Sequence, residues 1–116
     1  MRTTRSGESN MYRIIVGHIS PKRQADWYCK DDDPYAVWEG EPLVQVVCTG
    51  GVWATADEML RERVDVDWGS IAWKANREEV TRFFRVCGLR TADLEQLREK
   101  EVYAVVFIES VWGDSA

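Results

Sequence analysis

The sequence predicts an α/β or α+β domain, a two-layer sandwich with a mixed sheet of about four strands and two to four helices packed on it. Three observations carry that expectation. Strand-like and helix-like stretches alternate along the chain, which points to one sheet with helices on it. Residues 76–88 hold start, stop and face signals of one amphipathic helix. Residues 101–110 include Val102-Tyr103-Ala104-Val105-Val106-Phe107-Ile108, apolar on both alternating faces, as expected of a strand inside a sheet.

In chain order, residues 1–10 are almost entirely polar and read as a disordered tail, leaving residues 11–116 as one globular domain. Met11 opens the first apolar stretch and is a candidate translation start. Residues 11–19 are rich in β-branched side chains, end at Ser20-Pro21 and read as a strand. Ser20 and Pro21 suit the N-cap and first position of a short helix over residues 21–29. Asp31-Asp32-Asp33-Pro34 interrupts that helix, and residues 30–42 read as an acidic loop carrying Tyr35 and Trp38. Residues 43–48 form the second strand, closed by Thr49-Gly50-Gly51.

Thr55 followed by Glu58 has capping-box spacing, so a helix is expected from Thr55 through about Val64, then a loop over residues 65–70. Residues 71–75 alternate as a third strand and deliver the central helix. Asn76 is its N-cap and Glu79 can reach back to the Asn76 N–H. Val80, Phe83, Phe84 and Cys87 make its buried stripe, and Gly88 supplies the left-handed closing residue. Thr91 is placed to cap a further short helix bearing Leu94 and Leu97.

A chain of 116 residues, 45% hydrophobic, has room for one core. No run reaches the roughly 18–20 apolar residues that cross a bilayer, and no secretory h-region opens the chain, so a soluble, cytoplasmic protein is expected. Eleven Arg against four Lys fit a GC-rich genome, bacterial or phage. Charge is uneven within the net −5. Residues 1–30 hold six basic and two acidic side chains, residues 31–70 two basic and ten acidic ones. The acidic middle third disfavours nucleic acid there, because phosphate contacts need Lys and Arg. It suits a basic protein partner.

Cys29, Cys48 and Cys87 are odd in number and widely spaced, unlike a disulfide framework or a metal pair. Cys48 and Cys87 fall on apolar faces, as buried thiols do. His18 is the only histidine, and with Cys29 as nucleophile and one of Asp31–Asp33 as orienting carboxylate it would make an acyl-transfer site. No cysteine-hydrolase signature accompanies them, so His18 reads first as a structural residue at a strand end. The aspartate run lacks the alternating ligands and central Gly of a calcium loop, and no paired Cys/His spacing suits zinc, so no metal or cofactor is expected. Gly50-Gly51 precedes acidic residues rather than a phosphate-binding sequence, and reads as a turn.

The six tryptophans are the least ordinary feature. Trp73 belongs to a strand and to the core. Trp38, Trp53 and Trp68 fall in or beside the acidic third, where aromatics interleaved with Asp suit a surface bearing Lys or Arg. The leading expectation is a non-enzymatic protein-binding module, of inhibitor, immunity or accessory type, binding through Asp31, Asp32, Asp33, Trp38, Trp53, Asp65, Asp67 and Trp68. A small hydrolase or transferase using Cys29 and His18 is the alternative. Nucleic-acid binding, resting on the basic N-terminal third together with Arg77, Arg82 and Arg85, is the weakest of the three.

Overall fold

A computed structural model describes residues 11–29, 33–49 and 51–109. The expected tail at residues 1–10 and the end of the chain beyond residue 109 lie outside the described residues. Five strands form one sheet: β1 (Met11–Ile19), β2 (Trp38–Thr49), β3 (Arg61–Val66), β4 (Ser70–Asn76) and β5 (Val102–Glu109). Their order is β2-β1-β5-β4-β3, and all four pairings are antiparallel. The helices are α1 (Pro21–Ala25), α2 (Val52–Met59) and α3 (Arg77–Val86), with 3-10 turns at Pro34–Ala36 and Ala92–Gln96. The two-layer sandwich expected from the sequence is present, with five strands in its sheet.

β5 lies at the centre of the sheet and is buried on both faces, which explains its unbroken apolar run. On one face Tyr103, Val105 and Phe107 meet Ile14, Val16, Trp73 and the stripe Val80, Phe83 and Phe84 of α3. On the other, Ala104, Val106 and Ile108 join Ile15, Ile19, Trp27, Val37 and Trp38. That second face is covered in part by the segment between β1 and β2. Trp27 pins this segment to the far edge by donating its indole N–H to the Glu62 carbonyl.

α3 forms as its sequence specifies. The Asn76 side chain accepts from the Glu79 N–H and the Glu79 carboxylate accepts from the Asn76 N–H, each at 2.9 Å. Gly88 follows at φ +71°, a conformation that costs glycine little.

Several expectations need correction: the short helix after Ser20 ends at Ala25 rather than Cys29, and Thr91 precedes a 3-10 turn without capping it through its side chain. The capping box at Thr55 does not form: α2 starts at Val52 behind Gly51, with no side-chain cap, and ends at Met59. Arg61–Val66 is therefore strand rather than helix and pairs with β4. The acidic loop is also shorter than expected, because β2 begins at Trp38. β2 makes room by an irregularity: Val16 pairs with Val44 but His18 with Glu39, so the extra residues around Gly40 and Pro42 bulge out of the ladder. This lets Trp38 lie on β1 at Gly17, where an added Cβ would come within 3.0 Å of the Trp38 side chain. Among the described residues, no helix is long and apolar enough to cross a membrane.

Candidate functional site

The three tryptophans expected at a binding surface have different fates. Trp38 is buried at 8% exposure and packs against Tyr35, ring centroids 5.5 Å apart, so it belongs to the second core. Trp53, on α2, is 37% exposed, and the Arg63 guanidinium lies 5.8 Å from its ring centroid. Trp68 is 78% exposed at the tip of the β3–β4 hairpin. A large aromatic so open to water loses the favourable burial that normally decides where Trp goes.

The backbone at Trp68 adds a second cost. Val66 pairs with Ser70, so Asp67, Trp68 and Gly69 make a three-residue loop, with Trp68 at φ +68° and Gly69 at +70°. The left-handed region suits Gly, Asn or Asp, and a bulky side chain there is an outlier. Gly69 stands beside β5, where an added Cβ would lie 3.6 Å from the Glu109 carboxylate. Asp67 precedes the exposed Trp68 in the loop, and Glu109 lies beside Gly69, which follows it.

Behind the tip, the acids are tied to basic side chains. Arg63 reaches Asp65 at 2.9 Å and Asp57 at 3.3 Å. The hydrogen bond that Arg63 donates to Asp65 chiefly holds its guanidinium above the ordinary pKa. Asp57 also accepts from the Trp73 indole N–H at 3.3 Å, which ties α2 to the core side of β4. Trp53, Asp57, Arg63 and Asp65 therefore form one braced cluster, and Asp67 and Trp68 project beyond it.

Asp31 and Asp32 lie outside the described residues. Asp33 accepts from the Tyr35 N–H at 2.9 Å and caps the 3-10 turn.

His18 is paired, but with a residue that sequence reasoning did not single out. Its Nδ1 lies 2.8 Å from Glu101 Oε2, and its ring lies tilted at 43° to that of Tyr103, centroids 5.6 Å apart. Such a carboxylate orients an imidazole for general-base work, which then needs a nucleophile on the other nitrogen. β1 keeps regular register with β5 through His18, so His18 shares the face of Val16 and Tyr103. Trp27, two residues before Cys29, packs on the opposite face. The sheet therefore stands between the imidazole and the segment carrying this thiol.

Cys29 is half-buried, and its backbone N–H donates to the Asp26 carbonyl at 3.2 Å. Burial, then the neighbouring Cys87, pushes the Cys48 thiol up to about 11, and burial likewise raises Cys87. Neither is suited to react as a thiolate. Among the described residues, no three His, Cys, Asp or Glu side chains converge to hold a metal ion.

The exposed face of α3 and the chain before β5 border an open groove of about 600 Å³, lined by Arg77, Glu78, Thr81, Arg82, Arg85, Glu99 and Lys100. Its contacts are long: Arg77 to Glu99 is 3.9 Å and Arg82 to Glu78 is 4.0 Å. Cations interleaved with acids at such distances make a solvated surface with little net pull on a polyanion.

No family model, no curated protein and no solved structure matches this chain.

Proposed function

We propose that the protein is a non-enzymatic protein-binding module whose anchor is Trp68, with Asp67 beside it in the loop, and whose partner presents Lys or Arg. The observation that carries this reading is the 78% exposure of a tryptophan held at φ +68°. Both features cost the isolated fold stability, and both become useful once a partner covers the indole. A cation resting on the ring gains from its quadrupole, and the adjoining Asp67 carboxylate adds attraction and orientation. The braced cluster around Arg63 supports the reading by fixing the hairpin from which the tip projects. A cytoplasmic setting, in a bacterium or its phage, remains the expectation from composition.

Capture from native lysate tests this proposal, with wild-type protein, Trp68→Gly and Asp67→Asn compared by quantitative mass spectrometry. The expected result is a basic protein retained by wild type, lost with Trp68→Gly and weakened by Asp67→Asn or added salt. Retention that ignores all three changes would remove the proposal.

The alternative, a hydrolase or transferase using Cys29 and His18, draws support from the His18–Glu101 pair. The intervening sheet speaks against it. A thiol-reactive probe at neutral pH separates the two readings: fast labelling of Cys29 that falls on His18→Ala substitution would favour the enzyme.

A further inference from the structure

The two edges of the sheet are defended very differently. β3 forms one edge and carries Arg61, Glu62, Arg63 and Asp65 in six residues. Glu62 has φ +57°, and the ladder to β4 slips between Arg61 and Val64. Charge, backbone distortion and broken register are the usual devices that stop an edge from pairing with another strand. β2 forms the other edge, and its first part is defended likewise by Glu39, Glu41, Pro42 and the bulge around Gly40.

From residue 43 to residue 49 those devices stop. Leu-Val-Gln-Val-Val-Cys-Thr has no charge, no proline and no glycine, and residues 44–49 pair with β1 in unbroken register. Val47 is 58% exposed, and Gln45 and Thr49 beside it on the same face are exposed as well. Gln96 donates to the Leu43 carbonyl at 2.7 Å, and no described strand pairs with the outer side of the stretch beyond it. Short, uncharged, β-branched segments of this kind are templates for strand addition.

We propose that residues 44–48 pair with the same residues of a second copy, β2 against β2, antiparallel about a two-fold axis at Val46. The five-stranded sheet thereby becomes a ten-stranded one. A two-fold contact requires a segment complementary to itself, and this one is. Val44 comes opposite Cys48, Gln45 opposite Val47, and Val46 opposite its own copy. Val47 is covered by the Gln45 side chain on the open face. In a chain of net charge −5, two copies repel unless the contact keeps acids apart. In this register Glu41 of one copy falls opposite Gly51 of the other, and no acid faces an acid along the paired stretch. The two Trp68 tips then stand at the far ends of the joined sheet, clear of the contact.

The interface is one short strand pair, well below standard size, so the dimer is weak, with Kd on the order of 10–100 μM. Sedimentation equilibrium on the full chain from about 10 μM to about 1 mM spans that range. The expected result is a reversible monomer–dimer equilibrium in wild type, weakened at least ten-fold by Val47→Lys and left unchanged by Arg63→Ala at the opposite edge. Hydrogen exchange on wild type provides a readout without substitution: amides within residues 43–49 gain protection as concentration rises. A chain that is monomeric at about 1 mM would overturn the proposal. A dimer indifferent to Val47→Lys, or one that adds no protection to residues 43–49, would do the same.

Discussion

Trp73 and Trp68 stand five residues apart on one hairpin and occupy opposite extremes. Trp73 is fully buried on β4, edge-on to Phe107 at a centroid distance of 5.1 Å, with its indole N–H on Asp57. Trp68 is almost wholly in water on a left-handed backbone. The same side chain thus holds the fold together in one place and burdens it in the other. A residue that burdens a fold is a better pointer to function than one that supports it.

The largest effect expected from this contrast is at the core end. Trp73→Ala removes a fully buried indole and leaves a cavity against Phe107, costing about 3–5 kcal/mol in denaturant unfolding. A loss under 1 kcal/mol would break the contrast at its strong end.

Alkaline pH probes the same core. Cys48 titrates near 11 when folded, because burial and then Cys87 disfavour its thiolate, and Cys87 and Tyr12 are also raised, first by burial. A folded-state pKa above the unfolded one gives stability that is complete below the unfolded value and lost as pH rises through the folded value. Stability should therefore hold to about pH 9 and fall towards pH 11, by on the order of 2 kcal/mol from Cys48 alone. Cys48→Ala should flatten that fall, while Trp68→Gly should leave its shape unchanged.

A smaller effect tests the helix that backs Trp73. Asn76→Ala removes one arm of the capping box and should cost about 1 kcal/mol. Glu79→Gln should cost less, because an amide oxygen can still accept from the Asn76 N–H.

How much of this was legible depends on whether the deciding interactions are local. α3 was readable because Asn76, Glu79, the Val80–Phe84 stripe and Gly88 all lie within one short window. β5 was readable because burial on both faces needs an unbroken apolar run. β3 was not. Its charged residues face water at the sheet edge, only Val64 and Val66 turn inward, and its strand state depends on pairing with β4. Trp38 was misplaced because its burial depends on the space left by Gly17, 21 residues away, and on a bulge in β2.

The candidate site was legible as composition only. Trp68 and the acids near it were singled out, but a loop tryptophan can seal a core as readily as project from it. The sequence Asp67-Trp68-Gly69 between two strand-like runs was the signal of a tight hairpin, masked by reading residues 61–64 as helix. Glu101 could not be anticipated as the partner of His18, because 83 residues separate them and only the β1–β5 pairing brings them together.

The smallest effect on stability is the most telling one. Trp68→Gly places the residue best suited to φ +68° at the hairpin tip, so the chain should unfold within about 0.5 kcal/mol of wild type or resist denaturant slightly better. Capture of the basic partner, measured on the same preparation, should nevertheless be lost. Stability retained with binding abolished is the outcome expected if Trp68 is kept for recognition. Binding retained at wild-type strength by Trp68→Gly would contradict that account.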